Sequence, residues 1–231
     1  MRFEKEIVKE IWSERMKHIV IVVGGSIDDE MAAELIRKEQ PDVCMAADSG
    51  MNFFYRNRIC PDVIVGDFDS VSSEALEYFK TIPDIEWKVL NPVKDDTDTE
   101  SAIRLAIEQG AERITLLGAT GTRLDHVLGN IELLGIGLQQ HVPIEMIDSH
   151  NRIRMIDSGV SLSKDSQYGK YVSLIPYTQE VTGLTLTGFQ YPLDGYTLRG
   201  FCSLGVSNEI TEETAQISFK DGILLLIESR D

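Results

Sequence analysis

The sequence predicts an α/β region on a mostly parallel sheet, followed by a C-terminal antiparallel β-sandwich. Two observations carry this. Short apolar runs alternate with helical patterns up to about residue 150, the order expected of strands joined by crossover helices. From about Asn151 the helical period disappears, and short apolar runs are parted by Gly, Pro and Asp. The boundaries that follow are an extension over 1–17, an α/β domain over 18–150 and a β domain over 151–231.

Residues 1–17 read as an amphipathic helix with Phe3, Ile7, Ile11 and Trp12 on one face. The first strand, His18–Val23, ends in Gly24-Gly25-Ser26, and a helix with Met31, Leu35 and Ile36 on one face follows. The run Val43–Ala47 leads to Asp48-Ser49-Gly50, then to a helix over 52–58, a strand at Val63–Val65 and a helix over 73–80. Trp87–Leu90 is a strand, followed by an acidic stretch and a helix over 98–109. Arg113–Leu117 is strand-like, and Gly118-Ala119-Thr120-Gly121-Thr122 opens a helix reaching about Gln140, before a last strand at Ile144–Ile147. In the β domain, strands are expected over 172–175, 184–186, 196–198, 217–219 and 223–227. Lys220-Asp221-Gly222 predicts a hairpin between the last two, because Asp-Gly tolerates positive φ.

The 231 residues carry 22 basic and 38 acidic side chains, a formal charge of −16. No basic stripe is present to neutralise phosphates, which argues against a nucleic-acid partner. A cationic small molecule meets no such obstacle. The three cysteines, Cys44, Cys60 and Cys202, show no metal-ligand spacing and no disulfide framework; Cys44 and Cys60 read as small buried hydrophobes. No run reaches membrane-spanning length, and a soluble, cytoplasmic protein is expected.

Two acidic stretches carry the chemistry. Gly66-Asp67-Phe68-Asp69-Ser70 follows an apolar strand, at the edge where open α/β sheets bind ligands. In extended chain Asp67 and Asp69 would face one side, roughly 6.6 Å apart, and repel by roughly 2–3 kcal/mol at an effective dielectric near 20. Mg²⁺, a hard oxygen-seeking ion, would offset that; an Asx turn is the structural alternative. In Lys94-Asp95-Asp96-Thr97-Asp98-Thr99-Glu100, Thr97 and Glu100 fit a capping box with Asp98 as the first helical residue. The acidic excess goes beyond capping, so Asp98 and one of Asp95 or Asp96 are expected to face the metal, with Lys94 offsetting charge.

The loop before the helix at 124 offers Arg123, a fork-shaped phosphate donor, and His126, whose side chain acts on substrate or serves the fold. Thr122 and Asp125 could form another capping box.

Five motifs then occur in order: Ala47-Asp48-Ser49-Gly50; Gly66-Asp67-Phe68-Asp69-Ser70; Lys94-Asp95-x-Thr97-Asp98-x-Glu100; Gly121-x-Arg123-x-Asp125-His126-x-x-x-Asn130; and Ser207-Asn208-Glu209. Together they closely resemble the thiamine pyrophosphokinase (thiamine diphosphokinase) family over nearly the whole chain after residue 17. The resemblance implies a homodimeric enzyme that transfers a pyrophosphoryl group from Mg·ATP to the hydroxyl of thiamine, giving thiamine diphosphate and AMP. It implies Asp67, Asp69 and Asp98 as metal and phosphate-site carboxylates, with Asp48 beside them. It further implies Lys94, Asp95, Thr97, Gly121, Thr122, Arg123, Asp125 and His126 around the nucleotide, and Ser207 and Asn208 on thiamine near the dimer interface. Ser49 and Thr122 stand where many members have glycine. Animal and fungal members stack thiamine on a C-terminal tryptophan, but the tryptophans here are Trp12 and Trp87; Phe201, Tyr191 and Tyr196 are the candidate replacements.

Two rivals are carried forward. A haloacid-dehalogenase-like phosphatase also places Asp-x-Asp after a strand, with the first Asp as nucleophile, although Val71 stands where that motif has Thr. A non-catalytic nucleotide- or thiamine-binding regulator is the other.

Overall fold

The computed structural model describes residues 16–91 and 96–231. The helix expected over 1–17 lies, up to residue 15, outside the described residues.

Five parallel strands begin the sheet: β1 (His18–Val22), β2 (Val43–Ala47), β3 (Val63–Gly66), β4 (Glu86–Val89) and β5 (Arg113–Leu117), with β6 (Ile144–Ile147) as a sixth. Between them run α1 (Asp29–Glu39), α2 (Met51–Asn57), α3 (Ser73–Lys80), α4 (Asp98–Glu108) and α5 (Leu124–Gln140). β1 is buried along its whole length, which is why it reads as an unbroken apolar run, since helices cover both faces of a parallel sheet. Its two faces feed separate cores. Ile19 and Ile21 join Ile103, Ala106 and Leu134 from α4 and α5, while Val20 and Val22 join Ala32, Ile36, Phe53 and Phe54 from α1 and α2.

The spatial order of the parallel strands is β6-β5-β1-β2-β3-β4. Chain order reverses between β1 and β5, and the crevice that such a reversal opens beyond the carboxyl ends of the strands is where a ligand fits.

The C-terminal region is antiparallel, as expected, and its strands divide between two sheets. β7 (Asn151–Ile156), β9 (Tyr171–Pro176), β12 (Asn208–Glu209) and β14 (Leu224–Ser229) extend the main sheet to ten strands through the antiparallel β6–β7 pair. β8 (Val160–Ser163), β10 (Glu180–Thr187), β11 (Leu193–Arg199) and β13 (Thr214–Ser218) form a second sheet. Ile156, Leu174, Leu224 and Leu226 from one sheet pack with Leu162, Leu184, Leu198 and Ile217 from the other, closing the sandwich.

The expected hairpin at Lys220-Asp221-Gly222 is not one. β13 and β14 lie in different sheets, and the segment instead bonds to β10, through Lys220 N–H to Thr182 O at 2.8 Å and Thr182 N–H to Asp221 O at 2.9 Å. Asp-Gly chemistry bends the chain but does not choose which sheet the next strand enters. Cys60 also differs from expectation, being exposed, while Cys44 is buried and its thiol is pushed up to about 12, chiefly by burial. Among the described residues no helix is long and apolar enough to cross a membrane.

Candidate active site

A cleft of about 710 Å³ lies at the switch point, at the carboxyl ends of β1, β2, β3 and β5 and the start of α4. Three carboxylates meet in it. Asp48 leaves β2 in a short 3₁₀ turn with φ 46°, an uncommon conformation for a residue with a side chain. Asp67 leaves β3 directly after Gly66, and Asp98 is the first residue of α4. One carboxylate oxygen from each lies within 4.8 Å of the others. Each side chain is half-buried, and Asp48 Oδ1 is buried without a hydrogen-bond partner. Burial pushes the Asp48 carboxyl above the ordinary range, with the Asp98 and Asp69 charges adding to it, against hydrogen bonds from Ser49 and Ser70. Three converging carboxylates with an orphaned buried oxygen form a donor set for a hard divalent cation.

Gly66 makes the approach of Asp48 and Asp67 possible. Its φ is 152°, and a Cβ there would lie 3.1 Å from Asp48 Cα. Asp98 is oriented by its helix start: the Thr97 hydroxyl accepts the Glu100 N–H at 3.2 Å. The other half of the expected capping box is replaced, because the Glu100 carboxylate pairs with Arg104 one turn on, at 2.7 Å.

Asp69 stands apart from the group. Phe68 between the two aspartates has φ 66°, so the chain is not extended there and the carboxylates do not share a side. The Asp69 N–H donates to Asp67 Oδ1 at 3.2 Å, an Asx turn, and the exposed Asp69 carboxylate accepts the Ser70 hydroxyl at 2.7 Å. Phe68 itself packs edge-on to Trp87, ring centres 5.4 Å apart.

The opposite wall is the loop from Gly118 to Arg123, zipped to the exit of β1. Gly25 N–H donates to Gly118 O at 2.8 Å and Ser26 N–H to Thr120 O at 2.7 Å. A Cβ at Gly25 would come within 2.3 Å of both carbonyl oxygens, so this position requires glycine. From α5 the Asn130 amide donates to Ala119 O at 2.8 Å, tying the loop to its helix.

Gly121, Thr122, Arg123 and His126 line the cleft with Asp96, Thr97 and Asp98; Asp125 does not. The Asp125 carboxylate is held on the exposed rim by a two-pronged Arg123 pair at 2.6 and 3.2 Å, which lowers it to about 2. The Thr122–Asp125 capping box is absent: Arg123 is the N-cap of α5 and its side chain makes no capping bond. Lys94 and Asp95 lie outside the described residues. Gly24, Gly25, Ser26 and Asn130 also line the cleft, and sequence reasoning did not assign them. A glycine pair at the exit of a parallel strand was the available signal.

Ser207 and Asn208 belong to a different place. Asn208 helps line a mostly apolar cavity of about 230 Å³ in the β domain, with Tyr191, Leu204 and Val206. The two cavities share no lining residue. The buried Asn208 amide is committed to neighbouring backbone: it donates to Tyr191 O and accepts from Tyr191 N–H and Glu209 N–H. Ser207 has φ 59° and its N–H donates to Ser173 Oγ at 3.0 Å. Phe201 is fully exposed, and Tyr191, Tyr196, Leu204 and Val206 are exposed around it in sequence.

Comparison with known proteins places this geometry in context. Residues 34–146 match the family model described as "Thiamin pyrophosphokinase, catalytic domain", and residues 159–224 the model "Thiamin pyrophosphokinase, vitamin B1 binding domain". The thiamine pyrophosphokinase of Bacillus subtilis (strain 168) is 34% identical over 218 residues, 94% of this chain and 100% of the relative. A crystal structure of thiamine pyrophosphokinase from Bacillus subtilis superposes with a TM-score of 0.84 at 33% identity, covering 93% of this chain and 100% of that one. One from Geobacillus thermodenitrificans gives 0.81 at 34% identity, covering 93% and 98%.

Proposed function

The chain belongs to the thiamin pyrophosphokinase family, and on that premise we propose that it transfers the pyrophosphoryl group of Mg·ATP to the hydroxyl of thiamine, releasing thiamine diphosphate and AMP. The observation that carries this reading is the convergence of Asp48, Asp67 and Asp98 at the switch point, with Asp48 Oδ1 buried and unpartnered.

That donor set is all carboxylate oxygen and fits magnesium, which would be held by these three residues and would neutralise charge on the ATP phosphates. The chain's own groups do the positioning. The Gly121–Arg123 turn at the start of α5 offers backbone N–H groups and a guanidinium to phosphate oxygens, and the start of α4 faces the same space. The thiamine hydroxyl oxygen then bonds to the β-phosphorus as the bond from that phosphorus to the oxygen bridging the α-phosphorus breaks, and AMP departs. Asp98, and not Asp125, is the carboxylate that orients the hydroxyl and takes its proton in this reading, because Asp98 lines the cleft while Asp125 is paired with Arg123 outside it. The acidic cleft also suits thiamine, whose thiazolium is cationic.

Thiamine contacts are assigned to Ser207 and Asn208; of the two, Asn208 lines the apolar cavity, with Tyr191 as its aromatic neighbour there. Since that cavity and the acidic cleft share no residue, the reading includes a homodimer in which one subunit's β domain completes its partner's site, in the cytoplasm.

Incubation with ATP, Mg²⁺ and thiamine, with products identified by mass, tests the reading. AMP and thiamine diphosphate are expected. ADP with thiamine monophosphate would overturn pyrophosphoryl transfer. Thiamine-independent release of phosphate from esters would favour the phosphatase, and binding without products the regulator.

A further inference from the structure

The short turn Asp48–Gly50 carries, between Asp48 and the start of α2, a serine that takes no part in the carboxylate group. Ser49 is half-buried and lines the catalytic cleft. Its backbone N–H bonds the Asp48 carboxylate, whereas among the described residues its hydroxyl has no hydrogen-bond partner.

The position of that hydroxyl is set by the fold. The turn is pressed onto the exit of β1 at two points. A Cβ at Gly50 would collide with Val22 O, so the turn backbone rests directly on the strand. A Cβ at Gly24 would collide with Ser49 Oγ and lie 3.3 Å from Ser49 Cβ. The hydroxyl thus fills the space that any side chain at Gly24 would need. Gly24 precedes Gly25, whose N–H donates to Gly118 O in the opposite wall. Ser49 Oγ therefore sits at the seam where the turn carrying Asp48 meets the strand exit to which the Gly118–Arg123 wall is zipped.

The chemistry of the cleft says what an unpartnered hydroxyl there can do. Among the described lining residues, Asp48, Asp67, Asp96 and Asp98 stand against the basic side chains of Arg123 and His126 alone. A polyphosphate entering this space needs donors that bring no negative charge with them, and a serine hydroxyl is such a donor. A donor already held in place also avoids the entropy cost of ordering it when the ligand arrives. We propose that the Ser49 hydroxyl donates a hydrogen bond to a phosphate oxygen of the nucleotide, and that the missing side chain at Gly24 keeps it where it can. This rests on the pyrophosphokinase reading, which supplies the nucleotide.

The test is calorimetric titration of Mg·ATP, and separately of magnesium pyrophosphate, into the whole chain without thiamine. The wild type should bind both. Ser49→Ala should bind both about tenfold more weakly, the loss of one hydrogen bond to a charged group, with its affinity for Mg²⁺ alone unchanged. Gly24→Ala keeps the serine, but its methyl takes the place of the hydroxyl, which must rotate away; the same loss is expected. In the double variant Gly24→Ala/Ser49→Ala the two losses should not add, because both act through one hydroxyl. Wild-type affinity in Ser49→Ala, a loss confined to Mg·ATP, or additive losses would overturn the Ser49 contact and leave the pyrophosphokinase reading standing. Failure of the wild type to bind either probe would overturn both.

Discussion

Gly66 and Asp48 meet backbone to backbone: a Cβ built on Gly66 would stand 3.1 Å from Asp48 Cα and 3.2 Å from its nitrogen. This contact between the exits of β2 and β3 lets two carboxylates from neighbouring strands share one side of the cleft. Both partners hold unusual backbone, Gly66 at φ 152° and Asp48 at φ 46°, and such strain is retained where the surrounding structure over-determines it.

Gly66→Ala should therefore act twice. The φ of 152° disfavours any side chain, and the added methyl must push Asp48 away by a few tenths of an ångström. A loss of about 1–3 kcal/mol in urea unfolding is expected, with a fall in turnover larger than the stability change explains once assays are run well below the unfolding midpoint. Wild-type turnover in a folded variant would separate this contact from the chemistry.

Asp48→Asn opposes stability and function. The Asp48 carboxyl sits above its unfolded value, chiefly through burial. In the metal-free protein the fold must therefore ionise a group that burial keeps neutral, and stability falls as pH rises from the ordinary carboxylate range through the raised folded value. The amide cannot ionise, so the metal-free variant should hold its stability across that window while losing turnover. Mg²⁺ should raise the melting temperature of the wild type, by the equivalent of about 2.7 kcal/mol at a hundredfold excess over Kd, and that of the variant far less. Melting curves against pH in EDTA, and against Mg²⁺ at neutral pH, read both effects. Parallel wild-type and variant curves would remove Asp48 from the metal site.

Asp67 and Asp69 are separated by the Asx turn, and their variants should differ. Asp67→Asn takes a ligand from the group of three and should lower kcat/KM by about a hundredfold or more, the scale of losing an electrostatic contact at a reacting centre. Asp69→Asn should cost less, with its signature in Mg²⁺ dependence, because the Asp69 charge bears on Asp48 from the rim. Steady-state kinetics across Mg²⁺ concentrations distinguish them. A loss at Asp69 equal to that at Asp67 would mean that the turn opens when substrate binds.

The same turn marks where sequence reading stops. The parallel strands were legible because burial on both faces forces unbroken apolar runs, and Asp98 was legible because Thr97 and the acidic residues after it satisfy helix-start chemistry. The side that Asp69 faces depends on Phe68 at φ 66°, a conformation that a phenylalanine does not announce. β7 was not legible although Arg152, Ile153, Arg154 and Met155 alternate; its polar face lines a cavity instead of solvent, so it has no turn-bounded apolar run. The sheet exchange after Lys220-Asp221-Gly222 is a tertiary choice, made by where Leu224 and Leu226 find a core.

The separation of the acidic cleft from the Asn208 cavity yields the sharpest prediction. Asp67→Asn disables the cleft, and Asn208→Ala removes the buried amide that holds the Tyr191 backbone at 2.8 and 3.0 Å. Each variant alone should be nearly inactive, the second mainly through a higher KM for thiamine. If each active site draws its cleft from one subunit and its thiamine cavity from the other, a mixed dimer contains one site with both defects and one with neither. Unfolding and refolding the two variants together at equal concentration produces about half mixed dimers, each with one intact site, and so about a quarter of wild-type activity. Mixing without subunit exchange supplies the baseline. Recovery no greater than that baseline, with mixed dimers verified by mass, would place both halves of the site within one chain.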